Sequence, residues 1–299
     1  MSSSIRRRVG FFKEGENGGF DISIHSQDFD DECYAELNHI TDVINKIKPA
    51  ITSFEIVQNN IHEIKSSVEE HIEDLKSVKA PSPIVVDESL DAMVIFAQRV
   101  SNFLASASLY LTNSEVLIKK VFGKKSSELA SWNEYRRSMH EESFAYRFMY
   151  DLRNYSQHYG LPISGHNVLI DNMLTNDKSI ELSVYVSRNS LLEDDFNWRK
   201  LRAEIENQGE NIDIIPLVDI YFGILKKLLV KYIDLHAEDL ISCNSYISTF
   251  YKIFGIPKDT SPLLFIGEGT EDQPIPQHAE YIPTEQFKWV CKKYMNLKK

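Results

Sequence analysis

The chain has 299 residues, 42% hydrophobic and 26% charged, enough to bury a core without covalent or metal staples and unlike a disordered or collagen-like composition. With 33 Lys and Arg against 44 Asp and Glu the formal charge is -11, which argues against a protein that coats nucleic acid through counterion release, so any polyanion has to be met locally. No membrane span, secretion signal or disulfide scaffold is expected: Ile214 to Leu235 is broken by five charges, no apolar stretch follows the basic start, and Cys33, Cys243 and Cys291 form no C-x-x-C pair, as in reduced thiols of a cytoplasmic protein.

Residues 5–12 and 20–24 read as two strands joined by a Gly-rich turn, a hairpin that needs a larger partner to be stable. From Asp30 to Lys48 apolar residues recur at Leu37, Ile40, Val43, Ile44 and Ile47, and Pro49 interrupts this helix or opens the next. The next helix carries one stripe, Phe54, Val57, Ile61, Ile64, Val68, Ile72, Leu75 and Val78. Ala80-Pro-Ser-Pro83 breaks it. A second long helix follows Asp87, with Leu90, Val94, Ala97, Val100, Leu104, Ala107 and Leu111 on one face. A helical region from Ser127 to Tyr159, with a break expected near Met139-His140, ends at Gly160-Leu-Pro162, where Gly160 suits a left-handed terminus.

His166 to Leu169 and Ser179 to Arg188 read as strands of a small sheet that the N-terminal hairpin could join. Leu191 to Asn207 reads as an amphipathic helix, Pro216 fits the first turn of an apolar helix reaching Leu235, and more helix runs to Phe254. Lys258 to Pro283 reads as loop, and Thr284 to Asn296 as a closing helix with Phe287, Val290, Cys291 and Tyr294 inward. The class is mainly α with minor β, divided into residues 1–80 (hairpin and long helices), 81–240 (a helical domain) and 241–299 (a C-terminal helical and loop extension).

Several familiar signals carry no chemistry. Gly123-Lys-Lys-Ser126 lacks the first glycine and the preceding strand of a phosphate-binding loop. His62 and His71 do not share a metal-binding helix spacing, and no metal or other cofactor is expected. The segment Tyr146 to Pro162 is different, because Arg153, Asn154, Gln157 and His158 crowd the last two turns of a helix that carries an aromatic stripe. An Arg offers a planar fork of donors to phosphate oxygens, and a His exchanges a proton near neutral pH. The pair suits RNA cleavage by the RNA's own 2′-hydroxyl, with a base, an acid and a cation beside the crowded phosphate and no metal. The helix C-terminus favours a protonated His158 and Arg153 opposes it. Spacing alone leaves a second reading open, in which Arg153 pairs with Asp151 or a glutamate and His158 caps the helix.

Arg153-Asn-Tyr-Ser-Gln-His158 resembles the R-x4-6-H signature of the HEPN superfamily, including the polar residue after the Arg. The resemblance covers about residues 87 to 236, half the chain. It implies a helical bundle that dimerises so that two motif helices form a shared cleft, and a metal-independent endoribonuclease of a toxin or anti-phage defence system. Arg153 and His158 would be catalytic, with Asn154 in support. The alternative is a catalytically silent HEPN-like dimer that serves as an interaction module or as a nucleotide or RNA sensor. The implied partners are RNA, a second copy of the chain, and an antitoxin or defence-system protein.

Charge is consistent with a local RNA surface. Between Leu117 and Gly160 eight Lys and Arg face five Asp and Glu, a net +3 that leaves -14 elsewhere. Lys119, Lys120, Lys124, Lys125 and Arg147 are candidate backbone contacts, with Tyr150 as a base-stacking ring and Gln157 as a polar contact; Tyr155 fits the core better, and the lysines could equally be a solvated helix end.

Overall fold

A computed structural model describes residues 5–14, 19–77, 83–171, 179–257, 260–268 and 277–298. Among these residues it holds nine helices and two antiparallel sheets, a mostly helical protein with minor β. No described helix is long and apolar enough to cross a membrane. The chain divides into two compact units, residues 1–49 with 233–299, and residues 50–232. Of the expected segment 81–240, all but the last eight residues fall in the second unit, which residues 50–80 also join.

In the first unit, β1 (Ile5–Glu14) pairs with β2 (Phe20–Asp28) as the expected hairpin, with a register shift between Arg8 and Gly10. The larger partner that the hairpin needs comes from the segment read as loop: β6 (Pro262–Glu268) lies on the other side of β1 and β7 (His278–Tyr281) follows it, giving the order β2-β1-β6-β7. Leu263, Leu264, Phe265 and Ile266 are all buried, so β6 is a short apolar run without the alternation that marks a half-exposed strand. Gly10 is required here, because a Cβ would stand 2.7 Å from the Phe265 ring and 2.5 Å from the Ser23 carbonyl. The unit is completed by the first part of α1 (Asp31–Ser77), α8 (Ala237–Ile253) and α9 (Thr284–Leu297). In α9, Phe287 and Val290 are buried whereas Cys291 and Tyr294 are half-exposed. All three cysteines are free thiols.

Pro49 neither ends α1 nor opens a new helix; it sits inside 47 continuous helical residues, at the boundary between the units. An interior proline costs about 3 kcal/mol. The stripe Ile44, Ile47, Ile51 and Phe54 stays in phase across it and is fully buried, and each such side chain contributes about 1.5–3 kcal/mol, so burial offsets the lost hydrogen bond. Beyond Ile64 the expected stripe weakens: Val68, Ile72 and Leu75 are half-exposed, and Val78 lies outside the described residues, as does most of the Ala80 to Pro83 break.

The second unit is built from the rest of α1, α2 (Pro83–Phe122), α3 (Ser127–Glu142) and α4 (Phe144–His158), then β3 (Gly165–Asp171), β4 (Ser179–Ser187), α5 (Arg188–Glu193), α6 (Leu201–Glu206), β5 (Asn211–Asp213) and α7 (Ile214–Asp234) to Tyr232. On α2 Ala92, Phe96 and Val100 are buried, whereas Leu90 and Val94 are exposed at 61% and 68%, contrary to the face expected for them. Strands β3, β4 and β5 form a separate sheet that the hairpin does not join. The amphipathic stretch 191–207 is two short helices, not one. Trp198 is buried between them and donates from Nε1 to the Leu191 carbonyl at 2.7 Å, and Arg199 takes a left-handed φ of 52°, which no continuous helix allows.

Candidate functional site

The motif helix α4 begins at a one-residue break. Ser143 is extended (φ -121, ψ 116), ends α3, and accepts from the Tyr146 amide at 3.2 Å as the N-cap of α4. One face of α4, with Ala145, Tyr146, Phe148, Met149, Leu152 and Tyr155, is buried against α2, α3 and α6. Tyr155 is therefore core: its ring stacks on Trp198 at 5.5 Å and its hydroxyl donates to Asp194 at 2.6 Å. Gly160 follows the helix without the left-handed φ expected of it; its lack of a side chain instead lets the Tyr155 hydroxyl lie 2.8 Å from where a Cβ would be.

This packing leaves the motif residues on the outer side. Arg153 is half-buried, and Nη1 donates to the Asn154 carbonyl oxygen at 3.1 Å. Its Nε is inaccessible and has no hydrogen-bond partner, and among the described residues Arg153 forms no ion pair, with Asp151 or with any glutamate. Such a guanidinium keeps donors and an uncompensated charge for a ligand. His158 and Gln157 are exposed in the last turn, and among the described residues His158 makes no hydrogen bond and caps nothing. On an ideal helix the two motif residues are about 140° apart and about 7.5 Å along the axis.

A second group of titratable side chains adjoins Asn154, and the sequence reading did not select it. Burial pushes the Asp151 carboxyl above its ordinary range; Arg199, His140 and the Asn154 amide lying against it act in the opposite sense. His140, in the last turn of α3, is held below its ordinary pKa by burial first and then by Arg147, with Asp151 opposing. Asn154 accepts from Arg153 and stands one helical turn after Asp151, whose carboxyl its amide helps to keep ionised. The only sequence signal for this group was Asp151 three residues before Asn154; His140 and Arg199 arrive through tertiary packing.

The other expected RNA contacts separate. Arg147 is committed to the fold: it donates to both Glu204 oxygens at 3.1 and 2.6 Å and to the His140 and Glu141 carbonyls at 2.6 and 2.7 Å. Lys119 pairs with Glu115. Lys120, Lys124 and Lys125 are exposed, the last two in the turn after Gly123, whose φ of 100° closes it, and none has an ion pair among the described residues. Tyr150 is half-buried and stacks on Tyr146 at 6.4 Å. Among the described residues no group of three or more His, Cys, Asp or Glu is placed to hold a metal ion.

Comparison with family models, with curated proteins and with solved structures gave no match for this chain.

Proposed function

We propose that the protein is a HEPN-like, metal-independent endoribonuclease that acts as a homodimer, and that it serves as a toxin or anti-phage effector in the cytoplasm. The observation that carries this reading is Arg153: a half-buried guanidinium with no carboxylate partner among the described residues, five residues before a His158 that is exposed and makes no hydrogen bond among them. An ion pair that only braced the helix would have consumed the guanidinium, and a capping histidine would have consumed the imidazole.

In the proposed reaction Arg153 holds the scissile phosphate and stabilises the charge that gathers on its oxygens. One imidazole takes the proton from the 2′-hydroxyl, the 2′-oxygen attacks phosphorus, and the bond to the 5′-oxygen breaks as that oxygen receives a proton. The products are a 2′,3′-cyclic phosphate and a 5′-hydroxyl. One chain supplies one His158, so the second proton carrier is His158 of a second copy. The exposed Leu109 and Val116 on α2 offer apolar surface for such a copy. Cleavage of a labelled RNA by the purified protein, with end-group analysis in the presence of chelator, tests the reading. Cyclic phosphate ends that form with chelator present are expected; dependence on magnesium, or 5′-phosphate ends, would overturn it.

A further inference from the structure

One turn before the motif, Tyr150 lines a cavity of about 240 Å³ between α2, α3 and α4, together with Thr112, Glu115, Val116, Lys119 and Arg136. Tyr150 is three residues before Arg153 and four before Asn154, so all three share a face of α4, about 4.5–6 Å apart along its axis. The chemistry of the lining is specific. The Glu115 carboxylate is fixed by two cations, Lys119 on one oxygen and Arg136 Nη1 on the other at 3.0 Å. Arg136 is itself held over the Trp132 ring, 5.6 Å from its centroid. An ionised carboxylate has about four acceptor sites. Two are used, so Glu115 can still accept two hydrogen bonds from a ligand, while Lys119 and Arg136 keep donors beside it. Tyr150, backed by Tyr146, supplies an aromatic surface.

We propose that this cavity binds a guanine base, that of the nucleotide next to the phosphate held by Arg153. Guanine alone among the four bases presents two adjacent donors, N1–H and the N2 amino group, on the edge that also carries the O6 acceptor. Glu115 accepts from the two donors, Lys119 and Arg136 donate to O6, and the ring lies on Tyr150. Adenine and cytosine place an acceptor where the carboxylate would need a donor, and uracil offers one donor only. The site is pre-formed, since Glu115 and Arg136 hold each other before any ligand arrives. The inference rests on the ribonucleolytic reading for its biological ligand, but it is tested without cleavage.

Binding of GMP, AMP, CMP, UMP and IMP to the purified full-length protein is measured by titration calorimetry. GMP should bind best, and IMP, which lacks only the 2-amino group, about tenfold more weakly. Glu115→Gln and Tyr150→Ala should each weaken GMP by tenfold or more, with circular dichroism confirming that both fold; IMP reports on the same contact without any substitution. Equal binding of GMP and IMP, or of all the nucleotides, would overturn the assignment, as would unchanged GMP affinity in folded Glu115→Gln. The same protein is given one RNA with guanosine and one without. Cleavage of both alike rejects the guanine site and leaves the nuclease reading standing; selective GMP binding with no cleavage of either rejects the nuclease reading and leaves the site.

Discussion

Replacing Arg147 separates a structural role from an RNA contact. Its guanidinium spans α4, α6 and the end of α3 through four hydrogen bonds of 2.6–3.1 Å. The pair with Glu204 is partly exposed, at 20% and 37%, so its share is discounted to about 0.5–1 kcal/mol. The two bonds to helix-end carbonyls add about 1 kcal/mol each. Arg147→Ala should therefore cost about 2–3 kcal/mol, and at about 2–4 °C per kcal/mol for a unit of this size the melting temperature should fall by about 5–10 °C. Calorimetry on Arg147→Ala, Glu204→Ala and the double variant measures it, and the double variant should be less destabilised than the sum of the singles. An unchanged melting temperature with weakened, less salt-dependent RNA binding would refute the structural assignment and return Arg147 to the RNA surface.

The exposed lysines should behave in the opposite way. Lys124→Ala with Lys125→Ala should leave the melting temperature within about 1 °C and make the salt dependence of RNA binding shallower by about 1.4 in log–log slope, read by fluorescence anisotropy. Tyr155→Phe removes the bond to Asp194 and should cost about 1–2 kcal/mol in denaturant melts; no loss would mean that water replaces the partner without penalty. Burial holds the folded-state pKa of Asp151 above its unfolded value of 3.8, so the fold favours the protonated carboxyl, and that stabilisation is lost as pH rises through the folded value. Asp151→Asn should consequently be more stable than the parent at pH 7, with the gain fading by about pH 3; a loss at pH 7 that disappears in acid would show that the Asp151 charge itself is needed by its neighbours.

The helices were legible wherever an apolar stripe recurs every three or four residues, as along Phe96 to Leu111 or Tyr146 to Tyr155, because burial of that stripe is what stabilises them. Pro49 misled because its local cost is visible in sequence and the compensating burial of Ile51 and Phe54 is not. Strand β6 was hidden by the opposite circumstance: Leu263 to Ile266 is too short and too uniformly apolar for a periodicity, and only pairing with β1 makes it a strand. At the candidate site, Arg153, Asn154 and His158 could be found because their spacing within one helix is local. Arg147 could not be sorted from them, since its partner Glu204 is 57 residues away. His140 and Asp151 become notable only when packing brings the end of α3 close enough to α4 for the two groups to act on each other.

In the proposed reaction Arg153 and His158 act directly on RNA. The most direct measurement is the RNA cleavage rate of the parent, Arg153→Ala and His158→Ala, each with chelator and each with its melting temperature recorded. Chelator-resistant cleavage by the parent is expected, with a loss of at least about 100-fold in each variant and a melting temperature for His158→Ala within about 1 °C of the parent, since the imidazole is exposed and makes no hydrogen bond or ion pair among the described residues. Full activity in folded His158→Ala, or cleavage that chelator abolishes, would contradict it.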